Sequence, residues 1–175
     1  MRQIAIPDPF FQRPFFGNGE REVVYDETSA FIEIMRNAYF VYDIAAVQLL
    51  EVYKPWENPE EAISAVFSLW KETKQEMALL LRQRKRREAR GPMIHFTAHL
   101  LSILHWMNGI GVSSLQNMNQ ILYHLQVKPI NAGERILFIL EGPDHYHSFI
   151  QLSELYEESE KQFFKQMAIK KTSPL

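Results

Sequence analysis

The segment Met93–Asn108 constrains this chain most. It is apolar on nearly every side of a helix, with little but His, Thr and Ser to interrupt it. A helix without a polar face belongs in the middle of a bundle, since any surface position leaves an apolar side in water. The stretch carries His95, His99 and His105 and is too short to cross a bilayer, so a membrane span is not expected. Other helices must surround it.

The rest of the chain provides them. Phe31, Met35, Ala38, Tyr42, Ala45, Leu49 and Tyr53 step by three or four residues, which predicts one long amphipathic helix closed by Pro55. Asn58 as N-cap, Pro59 as first helical residue, and Glu60 and Glu61 open the next helix. Its stripe of Ile63, Val66, Phe67, Trp70, Met77 and Leu80 or Leu81 runs to a basic segment, and Gly91-Pro92 is expected to break it. Gly109 and Gly111 end the central helix, and Ser113 or Ser114 caps another built on Leu115, Met118, Leu122 and Leu125. Pro129 and Asn131 open a short helix ended by Gly142, and Pro143 starts a last long one carrying Phe149, Leu152, Tyr156, Phe163 and Met167. Strand signals are almost absent. The expectation is an all-α, single-domain bundle of about six helices over residues 25–172.

Residues 1–24 differ. Pro7, Pro9 and Pro14 alternate with Phe10, Phe11, Phe15 and Phe16, and Gly17-Asn18-Gly19 follows. Proline disfavours helix here, so an extended N-terminal arm is expected. Four phenylalanines are costly to leave in water, which packs the arm on the domain behind it. The first nine residues contain no continuous apolar run and no cleavage site, so a secretory signal is not expected and the default compartment is cytoplasmic.

Charge is unevenly spread. Arg82, Arg84, Lys85, Arg86, Arg87 and Arg90 place six cations in nine residues against Glu88 alone. Taking these from the 19 Lys+Arg and 21 Asp+Glu leaves 13 and 20, a formal −7, so the overall −2 is a sum of opposed regions. One reading is phosphate capture, because the arginine fork fits phosphate oxygens and several such contacts give salt-dependent binding. The other is a solvated helix end, with acids at the helix start and bases at its finish as the dipole favours. In that reading the arginines pair with Glu154, Glu157, Glu158 or Glu160 of a neighbouring helix.

Zero cysteines exclude a disulfide framework, a thiolate nucleophile and Cys-ligated metals. His95 and His99, four apart, share one helix face, and His145 or His147 could add a third ligand in the manner of DinB-like helical bundles. Against this, no HExxH pattern is present, and residues 91–133 hold no acidic side chain to orient a ligand. No phosphate-loop, dinucleotide or nucleophile-elbow motif occurs, and no cofactor is implied.

The second half also resembles a family. Arg84-Lys85-Arg86-Arg87-Glu88-Ala89 with Pro92-Met93, then Leu104-His105-Trp106-Met107-Asn108-Gly109, form one set of phrases. Lys128-Pro129-Ile130-Asn131, Glu134-Arg135, Phe138-Ile139 and Tyr146-His147-Ser148-Phe149-Ile150-Gln151-Leu152 form the other. Together they resemble the YpoC-like proteins of Gram-positive bacteria, most strongly from residue 84 to about 161. The resemblance implies a cytoplasmic helical domain without an established activity, and no functional residue carries over from it. The combined expectation is a non-enzymatic binding or adaptor domain whose 82–90 segment contacts nucleic acid or an acidic protein. The alternatives are a His-cluster metal protein and a homodimer paired through its aromatic stripes.

Overall fold

In the computed structural model, which describes residues 1–172, the central helix α4 (Arg86–Trp106) is wrapped as its composition requires. Every residue from Phe96 to Met107 is buried. Around it lie α1 (Phe31–Asn37), α2 (Val41–Val47), α3 (Pro59–Arg82), α5 (Met118–His124), α6 (Ala132–Glu141) and α7 (Tyr146–Thr172). The long helices α3 and α7 clasp α4 through aromatic side chains. Trp70 stacks on Tyr156 with ring centroids 4.4 Å apart, Phe96 meets Trp70 edge-on at 5.4 Å, and the Tyr156 hydroxyl donates to the Phe96 carbonyl. No helix among the described residues is long and apolar enough to cross a membrane.

Four local expectations are corrected. The stripe from Phe31 to Tyr53 is two short helices rather than one long one. The first ends because its Met35 carbonyl receives the Nε2–H groups of His95 (2.8 Å) and His99 (2.6 Å) from α4. A continuing helix would need that carbonyl for the Tyr39 N–H. The chain therefore turns: Ala38 is extended, and Phe40 takes the left-handed conformation at φ 59°. That turn aims the Phe40 ring at Phe10 (5.8 Å) and Phe15 (5.4 Å).

Second, Gly91 and Pro92 lie inside α4, and the helix break falls at Gln83–Lys85 instead. The carbonyl that proline leaves unpaired belongs to Glu88, an exposed residue, so the loss is tolerated there. Third, neither Ser113 nor Ser114 caps a helix. Their segment is held extended because the Val112 N–H bonds Asp43 (2.8 Å) and the Leu115 N–H bonds the Pro9 carbonyl (2.9 Å). Fourth, the N-terminal segment contains strands. β1 (Arg2–Ala5) pairs antiparallel with β2 (Glu22–Tyr25), Ile4 opposite Val23, and both of these side chains are buried. Phe10, Phe15 and Phe16, which lie between the strands, are buried too.

Asp43 joins these parts. Fully buried, it accepts hydrogen bonds from Ser102 Oγ (3.0 Å), Trp106 Nε1 (3.0 Å) and the Val112 backbone N–H (2.8 Å). Burial pushes its carboxyl above the usual range, and the three donors and nearby His105 oppose that rise. One side chain thus ties α2 to α4 and to the loop behind it. Removing the acceptor strands three donors in the core, so Asp43→Ala should cost about 3–5 kcal/mol in urea unfolding. Asp43→Asn, which keeps one acceptor oxygen, should cost less.

The end of α2 gives a prediction of opposite sign. Leu49 sits at φ 58° and is 91% exposed, while the Leu50 N–H reaches back to the Ala45 carbonyl (3.1 Å). This closure favours glycine at the left-handed position. Leu49→Gly should therefore raise the urea midpoint, by about 0.5–1 kcal/mol of stability, and Leu49→Ala should not.

Candidate functional site

The six cations of residues 82–90 occupy a corner, not one helix end. α3 stops at Arg82, with Gln83 as C-cap and Arg84 left-handed at φ 60°. The Arg84 N–H bonds the Leu81 carbonyl (3.1 Å) and the Lys85 N–H bonds the Leu80 carbonyl (2.8 Å), again a closure that normally uses glycine. α4 then begins at Arg86.

That break changes the electrostatics. Only Arg82 stands in the last turn of α3, where the helix dipole favours a cation. Arg86 and Arg87 are the first two residues of α4, at the positive end, where the dipole disfavours them. The first α4 hydrogen bond runs from the Ala89 N–H to the Lys85 carbonyl (3.2 Å). The N–H groups of Arg86, Arg87 and Glu88 precede it, and among the described residues no side chain caps them. An uncapped helix start ringed by exposed arginines attracts anions from two sources at once.

The acids expected as partners are engaged elsewhere. Glu158 forms a forked pair with Arg135 (2.9 and 3.0 Å), with Glu154 near the same guanidinium. Glu157 pairs with Lys161 and Glu160 with Lys71. The corner's partner is Asp144, which lies 3.3 Å from Arg86 and 4.0 Å from Arg90. Arg82, Arg84, Lys85 and Arg87 have no carboxylate within 4.0 Å among the described residues, and all are exposed. A cleft of about 390 Å3 opens beside them, between Leu81, Arg84, Arg86, Asp144, His145 and Tyr146. Tyr146 is 40% exposed there, and it supplies the aromatic surface that the sequence near the run lacks. Nothing local in the sequence could have placed Asp144 and Tyr146 here, about sixty residues along the chain.

The histidines do not form a metal site. His95 and His99 do share a face, with ring centroids 4.4 Å apart, but both direct Nε2–H at the Met35 carbonyl. His145 and His147 are exposed at the start of α7, and among the described residues no three His, Asp or Glu side chains are placed to hold a metal ion. The pair is a structural clamp. His99 is fully buried, and its Nδ1 has no hydrogen-bond partner among the described residues. Burial lowers the pKa of both rings, that of His99 well below 6.5, and His95 beside it lowers His99 further.

A lowered imidazole pKa means that the unfolded chain binds the proton more readily. The clamp's contribution is therefore complete above about pH 6.5, the ordinary histidine value, and is lost as pH falls below it. Urea unfolding at pH 7.5 and pH 5.5 should show the fall. His99→Gln should lower stability at pH 7.5 and flatten the difference between the two conditions.

Comparison with known proteins agrees with the helical core just described. A family model described as YpoC-like protein matches residues 60–171, which is α3 through α7. The curated protein named "Uncharacterized protein YpoC" from Bacillus subtilis (strain 168) is 38% identical over 117 residues, 66% of this chain and 70% of that protein. No solved structure matches. On the extent of the family match and on this identity, the chain belongs to the YpoC-like family.

Proposed function

We propose that this protein is a nucleic-acid-binding module whose contact surface is the α3–α4 corner. The observation that carries the reading is the uncapped start of α4 set among exposed Arg84, Lys85, Arg86 and Arg87. A purely structural role would place these cations at a helix C-terminus, yet two of them stand at an N-terminus. The neighbouring cleft adds Tyr146, on which an unstacked base can lie, while Arg84 and Arg86 reach phosphates. Asp144 and Glu88 temper the charge and leave the corner positive. The rest of the chain is acidic, which directs a polyanion to this corner.

Fluorescence polarisation with a labelled single-stranded oligonucleotide tests the reading. Wild type should bind at low salt and weaken steeply as salt rises. The Arg84→Ala, Arg86→Ala, Arg87→Ala triple variant should lose at least about tenfold in affinity, with a salt slope shallower by about 2. Equal, weak binding of both proteins at low salt would refute it.

A further inference from the structure

We propose that a second site, formed by β1, β2, α1, α2, the segment after α2 and the start of α3, binds an organic ammonium group. This site lies apart from the basic corner and does not depend on the reading given there. It is a cavity of about 400 Å3, within the range of small-ligand sites.

Its wall is aromatic. Phe31, Tyr42 and Tyr53 meet one another with centroids 5.4–5.7 Å apart, Tyr53 standing at 68° to Phe31 and 79° to Tyr42. Tyr25 lines the same cavity. Rings set at such angles present electron-rich faces in several directions, which is an arrangement that attracts an organic cation. The phenols of Tyr42 and Tyr53 stay neutral, since burial pushes Tyr42 up to about 12 and raises Tyr53 as well. The hydroxyls of buried Tyr156 and half-buried Tyr39 donate to backbone carbonyls. Those of Tyr25, Tyr42 and Tyr53 have no such partner among the described residues, so they remain available to a ligand.

Its rim is acidic. Glu27 is paired with Arg2 at 3.2 Å, but Glu51 and Glu61 have no cation within 4.0 Å among the described residues. Three carboxylates against one guanidinium leave the lining negative. Glu61 is close enough to Tyr53 to contribute to the rise of its phenol. A hard metal cation is not the fit, because no three carboxylates converge on one point among the described residues. Aromatic walls and two unpaired carboxylates lining one cavity suit an organic ammonium, whose carbon groups next to nitrogen pack on the rings while its charge is balanced by the carboxylates. The ammonium can come from a free polyamine or from a lysine side chain on a protein.

Titrations followed by amide NMR shifts test this and separate the two sources. The probes are spermidine, a short lysine-containing peptide, choline, and 3,3-dimethylbutan-1-ol, the uncharged carbon isostere of choline. At least one ammonium probe should saturate with shifts at Val52, Tyr53 and Glu61, and the isostere should not. Saturation by spermidine alone identifies a free amine, and saturation by the peptide alone identifies a protein partner. Tyr53→Leu and Glu61→Gln should each weaken binding about fivefold or more. Glu61 is exposed, so its substitution reports on the site even if the tyrosine variant is unstable. The proposal fails if no ammonium probe saturates, if the neutral isostere gives the same shifts, or if both variants bind like wild type.

Discussion

Much of this fold depends on a seam of buried polar groups along one side of α4. His95, His99, Ser102 and Trp106 recur at helical spacing and face α1 and α2. Across the seam each meets a buried acceptor: the Met35 carbonyl for the two histidines, and the Asp43 carboxylate, which also holds the Val112 N–H, for the serine and the tryptophan. Such a seam stabilises to the extent that its members are satisfied, because an orphaned polar group in the core costs roughly 1–3 kcal/mol. The bend between α1 and α2, the place of the phenylalanine cluster and the course of the 109–115 loop all follow from closing it. The one atom left over, His99 Nδ1, is the seam's weak point, since a proton there would be a buried charge.

The two candidate binding surfaces are electrostatic opposites. At one, cations gather where two helices meet and the backbone itself offers N–H groups. At the other, phenyl and phenol rings share a cavity with Glu51 and Glu61, which have no counter-ion among the described residues. The near-neutral total conceals both. The family match spans α3 to α7 and so includes the whole basic corner. Of the ammonium cavity it includes Glu61 only, since Tyr25, Phe31, Tyr42 and Tyr53 precede the matched residues. The corner is thus tied to the shared core, and the cavity to the segment that packs on it.

How legible this was in the sequence depended on the range of the forces involved. The centrality of α4 was readable because apolarity on all sides has only one solution. The boundaries of α6 were readable from Pro129, Asn131 and Gly142, whose backbone preferences act locally. The break at Ala38–Phe40 was not, because its cause is a pair of imidazoles some sixty residues away. The break at Arg84 was hidden for another reason: an arginine stands where glycine usually signals the turn, and Gly91-Pro92 nearby offered a more conspicuous signal that the helix absorbs. Asp43 did leave a trace, as the only charged residue between Asn37 and Leu50. A lone charge inside an apolar stretch is best read as a buried acceptor with donors still to be found. For the site, the cations were evident, but Asp144 and Tyr146 come from the α6–α7 junction and could only be placed by the fold.

The spacing of the polar seam also acts on the corner, although the two do not touch. Four side chains must each find a fixed mate, so α4 can neither slide along its axis nor rotate about it without unpairing several at once. The helix is locked in register. Its first residues are the arginines, and the lock therefore sets their Cα positions before any partner arrives. What remains free is the far end of each side chain. A polyanion docking there would order rotamers and not backbone, and the corner behaves as a rigid mount carrying flexible grips.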